Sequence, residues 1–412
     1  MSDAVAVVDN ANLDALAASG PVEVLAGVHA ANQANRIVDL LDIVAAALET
    51  YAPSRRVGLL VADAGSQDGT ADVVRGWREP GGASRSACCL DVITDTDRGR
   101  AIGALLQAAR RLNARALVLL DADLAGVRKD WVQALLEPVL HDDADYVSPA
   151  YSRSVAEGTL TTNLLAPLTR ALYGGGLQQV MGGCAAIAGA AIGSWLLPDA
   201  KTGDWHAHGT EIWLATAALA SGARIMEVQL DRKLMTPGGP QPDLATILVR
   251  TVGPVFALME RYEGAWLDAQ AGGPVRHRGD TLPVQADARS VDVERMVRAF
   301  DLGLKDLLPV WEQIMPESTL AHLYPLALLS ANEFRLPPWL WSRIVSDFAV
   351  AYHEQRLPRD HLLRALTPLY LGRVAAFIVQ ARATPPERIP ETFQTIERAF
   401  DDEKEHLVAR WR

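Results

Sequence analysis

Short apolar runs alternate with polar loops and amphipathic stretches through the first third of this chain. Apolar runs of this length are typical of buried strands, whereas apolar residues spaced three to four apart predict helices. The pattern predicts strands over 22–30, 57–62, 90–94, 116–120 and 146–148, with helices between them over 31–51, 70–78, 101–112 and 131–140. Because such alternation builds parallel sheets, we expect an α/β sheet with helices on both faces.

The predicted topology gathers a set of residues at one edge of that sheet. Ligands of parallel α/β sheets bind beyond the carboxyl ends of the strands. The residues placed there are His29, Ala30, Asp63, the stretch Thr94 to Arg100, Asp121 and Asp123. We therefore expect the functional site at this edge.

Asp121 and Asp123 follow the apolar run 116–120 directly. Two carboxylates one residue apart are costly to bury unless something pairs them. A divalent cation that carries a diphosphate is a natural partner, since hard cations take carboxylate and phosphate oxygens together. The pair indicates a nucleotide-sugar site, although an Asp-x-Asp triplet is also common in a plain strand-to-loop turn.

Two further loops have the chemistry of a nucleotide site. The loop from Asp63 to Thr70 offers a carboxylate for ribose hydroxyls or a base N–H, two glycines for tight turns, and Thr70 as a cap for the next helix. Arg98 and Arg100 flank a glycine at the start of a predicted helix, which suits a diphosphate. The alternatives are a capped loop without a ligand and a solvated pair of charges.

With these motifs, the sequence resembles retaining GT-A fold glycosyltransferases of the mannosylglycerate synthase and glucosyl-3-phosphoglycerate synthase type. The resemblance covers nearly the whole chain, and its motifs are 63–70, Asp121-Ala122-Asp123, 145–153, Gly182-Gly183 and Gly209-Thr210-Glu211-Ile212. It implies a GT-A catalytic domain with a mostly parallel sheet, followed by an all-α C-terminal domain. It also implies transfer of glucose or mannose from an NDP-sugar, UDP- or GDP-linked, to a small hydroxy acid such as D-glycerate, with retention.

The resemblance also implies roles for individual residues. Asp123 would bind Mg²⁺ or Mn²⁺, and Glu211 would orient the reacting sugar or acceptor. The donor would be held by His29, Ala30, Asp63, Asp121, Arg98, Arg100 and Lys233. The acceptor would be held by Arg153, Thr161 and Thr162.

Two departures from the family pattern affect these expectations. Thr159 stands where the phosphoglycerate enzymes have an arginine, and a hydroxyl cannot replace a guanidinium at a phosphate, so an unphosphorylated acceptor is favoured. The family's metal-ligating histidine after the last strand is missing from 230–237. Either Asp231, His206 or His208 substitutes, or Asp123, the diphosphate and water alone hold the metal. Arg232 and Lys233 could also partly replace the cation by binding the diphosphate directly.

These departures keep two other functions open. The first is a binding or regulatory protein on the same fold that has lost turnover. The second is an inverting transferase for a lipid or protein acceptor, which would need an aspartate base and usually a membrane anchor. The apolar run 184–197 has only 14 residues, against the roughly 20 that span a bilayer. We therefore expect no membrane span.

Composition limits the partners and the compartment. The net charge of −11 argues against non-specific nucleic-acid binding. The three cysteines suggest buried thiols rather than a disulfide framework, and the acidic start lacks a signal-peptide pattern, so a cytoplasmic protein is expected. The length favours about two domains. We predict a lead at 1–20, the GT-A domain at 21–270, a linker at 271–280 and helices at 281–412, whose aromatic residues form a core or a homodimer interface.

Overall fold

The structure, a computed structural model, describes residues 13, 17–18, 22–78, 88–91, 98–195, 209–235, 243–269, 275–282, 284 and 291–412. The chain divides into two compact units. The first comprises 1–151, 181–239 and 276–280, and the second comprises 152–180, 240–275 and 281–412. The predicted domains at 21–270 and 281–412 stay a prediction; by their contacts, 152–180 and 240–275 group with the C-terminal helices.

An eight-stranded sheet forms the first unit, in the order β10-β8-β6-β7-β4-β1-β2-β3. Its strands are β1 (Val24–Ala30), β2 (Val57–Asp63), β3 (Cys88–Asp91), β4 (Ala116–Asp121), β6 (Tyr146–Ser152), β7 (Cys184–Ala188), β8 (Ile225–Arg232) and β10 (Arg276–Arg278). Strands β3, β2, β1 and β4 run parallel, and β7 runs antiparallel to both β4 and β6. A separate antiparallel pair joins β5 (Leu124–Ala125) to β9 (Leu234–Met235). The predicted α/β fold class is confirmed.

Four helices of the first unit lie near the predicted positions: Ile37–Tyr51, Thr70–Gly76, Arg98–Arg111 and Lys129–Leu140. Two further helices span Gly189–Trp195 and Gly209–Ala220. In the first of these, Ile37, Leu41, Val44 and Leu48 are buried at helical spacing, which explains why this segment packs on the sheet. The register of β1 sets Ala30 beside Asp63 on β2, so the carboxyl ends of these strands meet at one edge.

The predicted linker 271–280 contains an edge strand, which corrects that prediction for residues 276–278. Arg276–Arg278 pairs in parallel with β8, whose edge offers backbone groups for a further strand. Arg278 also donates to Glu137 at 2.6 Å, and Arg276 donates to the carbonyl of Asp143. The Gly- and Arg-rich composition suggested a linker. The strand was missed because the residues that pair with it lie far away in the sequence.

The second unit is helical in the residues that the structure describes. Its α-helices span Ala166–Tyr173, Leu244–Arg261, Glu263–Trp266, Val293–Asp306, Leu308–Ile314, Glu317–Leu320, Pro338–His353, Arg359–Ala365, Thr367–Ala383 and Ile389–Trp411. A π-helix covers Thr161–Leu165, and 3₁₀ turns cover Tyr324–Leu328 and Pro386–Arg388. The segment Arg359–Ala383 is long and apolar enough to cross a membrane, but 78% of its most apolar window is buried, as in a core helix.

The aromatic residues of this unit confirm the predicted core. Within 291–412, ten aromatic residues are buried: Phe300, Trp311, Phe334, Trp341, Phe348, Tyr352, Tyr370, Phe377, Phe400 and Trp411. Tyr324 and Trp339 are exposed, at 48% and 44%, and the Trp339 ring packs edge-on against His322. In the first unit Cys184 is a buried free thiol, as the sequence predicted for the cysteines; the side chains of Cys88 and Cys89 lie outside the described residues.

Gly189 is required by close packing where β7 turns into the next helix. A Cβ at this position would lie 1.8 Å from the carbonyl oxygen of Ala114, whereas a Cβ at Gly193 in the same helix would meet nothing within 4 Å. We expect Gly189→Ala to lower the free energy of unfolding by about 2–4 kcal/mol, because backbone must move. Gly193→Ala should raise it by about 0.5–1 kcal/mol. Urea denaturation measures both, and equal effects of the two variants would contradict this packing.

Candidate active site

His29 and Asp121 lie side by side where β1 and β4 end. The strand register pairs the two residues, and His29 Nδ1 is 3.5 Å from Asp121 Oδ1. Both are buried, with 6% and 4% of each residue exposed. The N–H of Ala122 donates to the carbonyl of His29 at 3.0 Å, which extends the pairing past the end of β4. The two side chains are therefore fixed by sheet backbone rather than by a loop.

Glu211 joins this pair from the first turn of the helix Gly209–Ala220. Its Oε2 accepts a hydrogen bond from the N–H of Gly183 at 3.3 Å, and the carbonyl of Gly183 accepts from the N–H of Asp121 at 2.8 Å. Gly183 has a φ of +78°, and a Cβ there would lie 3.1 Å from the Leu124 side chain. One potential ligand atom from each of His29, Asp121 and Glu211 lies within 4.8 Å of the others.

Asp123 is tied to the same edge but differently. Its N–H donates to Asp121 Oδ1 at 2.9 Å, and its own Oδ1 accepts from Gln33 Nε2. Gln33 comes from the loop after β1 and was not among the predicted site residues. Among the described residues, the group of metal-type ligands that converges within 4.8 Å contains Asp121 and not Asp123. The metal role of Asp123 stays a prediction.

The loop 63–70 is held by its own polar side chains. Asp63 accepts from the Ser66 N–H at 3.0 Å and from the Ser66 hydroxyl at 2.5 Å, and Ser66 Oγ accepts from the N–H of Asn32 at 2.8 Å. Asp63 is buried, with 5% exposed. The nucleoside-binding role of Asp63 stays a prediction, and the contacts show that it also shapes the loop.

The predicted cap at Thr70 is wrong in its detail. The helix begins at Thr70 itself, and its N–H donates to Asp68 Oδ1 at 3.0 Å. The Thr70 hydroxyl donates to the same oxygen at 2.5 Å and accepts from the N–H of Gln33 at 2.8 Å. Although desolvation acts to raise it, the pKa of Asp68 is lowered by these hydrogen bonds and by one from the Ala34 N–H. Asp68, rather than Thr70, therefore satisfies the start of the helix.

The predicted cations lie at the start of one helix and between β8 and β9. Arg98 begins the helix Arg98–Arg111 and Arg100 lies in its first turn, but the side chain of Arg98 is outside the described residues. Lys233 Nζ donates to the carbonyl of Met181 at 3.0 Å and lies 5.9 Å from the centre of the Tyr151 ring. Tyr151 donates in turn to the carbonyl of Gly182 at 3.0 Å, so Lys233 stands beside the segment that holds Glu211.

The structure tests one of the substitutes for the missing histidine. Asp231 forms an ion pair with Arg128, and nearly half of each side chain is exposed. This pairing directs its carboxylate to a cation of the protein. His206, His208 and Thr94 lie outside the described residues.

The predicted acceptor residues lie in the second unit. Arg153 is half-buried and packs against Gly158, where a Cβ would overlap its guanidinium. Thr161 is buried and Thr162 half-buried in the π-helix, an irregular element that is frequent at functional sites. Thr159, the residue at the family's arginine position, hydrogen-bonds through its hydroxyl to the Tyr370 hydroxyl at 2.7 Å.

The convergence of His29 with Glu211 was missed by sequence reasoning. The sequence placed His29 at the carboxyl edge among the donor residues, and the search for a metal-ligating histidine looked after the last strand. The signal that could have found it is the pairing of β1 with β4, which places His29 opposite Asp121. That register follows from strand order, which the sequence does not state.

The site lies at the carboxyl edge of a mostly parallel sheet, where α/β proteins bind their ligands. Residues 30–188 match the model for glycosyl transferase family 2. This segment begins at the last residue of β1 and includes the loop 63–70 and both aspartates of the Asp-x-Asp triplet. The match covers less than half of the chain, and it supports a glycosyltransferase domain within residues 30–188, as the resemblance implied.

Solved structures also show similarity. Glucosyl-3-phosphoglycerate synthase from Mycobacterium tuberculosis, with Mn²⁺, UDP and phosphoglyceric acid, is 21% identical with a TM-score of 0.44, over 61% of this chain and 81% of that chain. The same enzyme with Mn²⁺, UDP-glucose and phosphoglyceric acid is 20% identical with a TM-score of 0.43, over 61% and 82%. A structure described as a mycobacterial protein is 22% identical with a TM-score of 0.44, over 61% and 78%. No curated protein sequence matches the chain.

Proposed function

We propose that this glycosyltransferase moves glucose or mannose from an NDP-sugar to a small hydroxy acid such as D-glycerate, with retention at the anomeric carbon. The observation that carries the proposal is the polar cluster at the carboxyl ends of β1, β2 and β4. There, the Asp121–Asp123 pair is linked by a hydrogen bond and Asp63 closes the neighbouring loop. This is the edge where parallel α/β sheets bind their ligands.

Acidic and basic side chains hold different parts of the donor. Asp63 accepts from the nucleoside, and Asp121 and Asp123 divide the ribose and a divalent cation between them. Arg100 and Lys233, with Arg98, attract the diphosphate, because guanidinium and ammonium groups form charge-assisted hydrogen bonds to phosphate oxygens. When bound, Mg²⁺ or Mn²⁺ supplies Lewis-acid stabilisation of the departing diphosphate.

Glu211 acts on the sugar or the acceptor hydroxyl. The Gly183 N–H fixes one of its oxygens, and a carboxylate can accept hydrogen bonds from sugar or acceptor hydroxyls. A carboxylate held in this way supplies a negative charge beside the anomeric carbon, where positive charge develops as the diphosphate leaves. The same residue therefore serves binding and catalysis.

The acceptor is an unphosphorylated acid. Thr159 offers no positive charge, and its hydroxyl is engaged with Tyr370. Arg153 is the cation that the proposal assigns to the acceptor carboxylate, and Thr161 and Thr162 provide hydroxyl groups for its alcohols. An arginine suits a carboxylate because its planar donors can form two parallel hydrogen bonds.

One observation favours a second function, a nucleotide-sugar binding protein without turnover. The segment 230–235 has no histidine, and Asp231, the carboxylate that could take its place there, is paired with Arg128. Such a protein would bind the nucleotide and transfer nothing. Binding and transfer must therefore be measured separately.

Calorimetric titration with UDP, GDP and ADP, with and without Mn²⁺, tests the donor site. We expect one nucleotide to bind, and Asp63→Ala to weaken its binding by about tenfold or more through the lost hydrogen bonds to the nucleoside. Asp72→Ala is the matched control, since Asp72 is exposed and pairs with Arg75 on the adjacent helix. Failure of all three nucleotides to bind in either condition would refute the transferase function.

A further inference from the structure

The geometry points to a divalent-cation site formed by His29, Asp121 and Glu211 that fills without nucleotide. The inference deepens the proposed function, since it names the residues that hold the cation, but its test uses metal alone. Under this assignment Asp121 is a first ligand of the cation, and Asp123, which donates its N–H to Asp121, orients that ligand.

The first support is convergence. The three ligand atoms lie within 4.8 Å of one another and come from three separate elements: β1, β4 and the helix Gly209–Ala220. A cation at 2.0–2.2 Å from each ligand needs them within about 4.5 Å of one another, so a small shift of the side chains completes the shell. Residues that are adjacent in sequence are always close in space. The three potential ligands here are far apart in sequence, so the fold itself brings them together.

The second support is rigidity around the three side chains. Gly183 binds both carboxylate residues through its backbone: its N–H donates to Glu211 Oε2 at 3.3 Å, and its carbonyl accepts from the N–H of Asp121 at 2.8 Å. His29 is fixed by the β1–β4 register. Ligands held by sheet backbone and by a shared glycine need little reorganisation when the ion enters.

The third support is charge and donor chemistry. The three residues offer two carboxylate groups and one imidazole, and Asp121 is 4% exposed. Carboxylate oxygens and imidazole nitrogens are ordinary ligands of divalent cations. An imidazole nitrogen with two carboxylates suits Mn²⁺ or Co²⁺, whereas Mg²⁺ prefers oxygen ligands and keeps its waters. The site should therefore select Mn²⁺ over Mg²⁺.

Titration of the protein with Mn²⁺ alone, monitored by the electron paramagnetic resonance signal of free Mn²⁺, tests the site. We expect about one Mn²⁺ per chain, and affinity reduced by about 10–100-fold in His29→Gln and in Glu211→Gln. Asp231→Asn is the matched control, because this carboxylate of the same unit pairs with Arg128; its affinity should match the wild type. Asp123→Asn should weaken Mn²⁺ less than either ligand variant.

Pulsed resonance on the wild-type protein keeps the inference testable if a variant fails to fold. Bound Mn²⁺ should show coupling to a ¹⁴N nucleus from the imidazole. Absence of Mn²⁺ binding, absence of this coupling, or loss of affinity in Asp123→Asn with none in His29→Gln would each overturn the assignment. Because no sugar nucleotide is present, these results do not depend on whether transfer follows.

Discussion

Glu211→Gln is expected to lower the rate of sugar transfer by about 10²–10³-fold, the size of effect that follows removal of one preorganised electrostatic group. The glutamine side chain keeps a carbonyl oxygen that can accept from the Gly183 N–H, so the helix start and the Gly182-Gly183 turn stay in place. What is lost is the negative charge beside the reacting carbon and, under the metal assignment, a ligand of the cation.

The measurement is initial-rate kinetics with saturating donor, together with calorimetric affinity for the nucleotide. Glu49→Gln is the matched control, since Glu49 is exposed near the end of the helix Ile37–Tyr51 and should leave the rate unchanged. Excess Mn²⁺ separates the two roles of Glu211: recovery of the rate would assign its effect to the metal, and no recovery would assign it to the reacting sugar. A Glu211→Gln rate within about threefold of the wild type would contradict both roles.

Arg373→Ala is expected to lower the free energy of unfolding of the second unit by about 3–5 kcal/mol. Arg373 is 1% exposed; its Nε donates to Asn163 Oδ1 at 2.9 Å and its Nη1 to the carbonyl of Leu336 at 2.8 Å. Burial lowers the pKa of its guanidinium to about 9. The alanine variant leaves a cavity and two buried acceptors without their donor.

The same change should disturb the π-helix that contains two predicted acceptor residues. The side-chain amide of Asn163 donates to the backbone carbonyl of Thr159 at 3.0 Å. The backbone carbonyl of Asn163 accepts from Trp341 Nε1 at 2.6 Å. Arg373 therefore fixes Asn163, and Asn163 fixes the segment around Thr161 and Thr162. A raised KM for the acceptor at a temperature where Arg373→Ala remains folded is the functional readout.

Urea denaturation of Arg373→Ala and Arg373→Met measures the two contributions. Methionine fills most of the volume but donates no hydrogen bond, so its loss should be smaller, about 1–3 kcal/mol. Arg398→Ala, an exposed arginine of the helix Ile389–Trp411, is the control and should change stability by less than about 0.5 kcal/mol. An Arg373→Met protein more stable than the wild type would show that desolvation of the buried charge outweighs its hydrogen bonds.

The sequence predicts five strands of the sheet, β1, β2, β3, β4 and β6, because each is a local apolar pattern. The apolar run that ends at Asp121 and the loop from Asp63 carry their own signals, and both lie at the expected edge. The edge strand Arg276–Arg278 has no such signal: it is short, exposed and cationic, and it forms because β8 offers an open edge. Local composition cannot report an interaction with a partner strand.

The site is predicted only as far as its residues lie near one another in sequence. Asp121 and Asp123 are found from their spacing, whereas the approach of His29 to Glu211 depends on strand order and on the start of a helix 182 positions further along the chain. The grouping of 152–180 with the C-terminal helices has the same origin. Asn163 and Arg373 meet through contacts that no periodicity encodes.

The most direct test of the proposed transfer is the proton magnetic resonance spectrum of a reaction containing the purified protein, D-glycerate, Mn²⁺ and either UDP-glucose or GDP-mannose. Both donors are α-linked, so retention predicts one new α-anomeric signal in step with release of the nucleoside diphosphate, absent without D-glycerate. A β-linked product would contradict retention. Tight nucleotide binding with neither donor consumed would contradict transfer to glycerate and favour the binding protein without turnover.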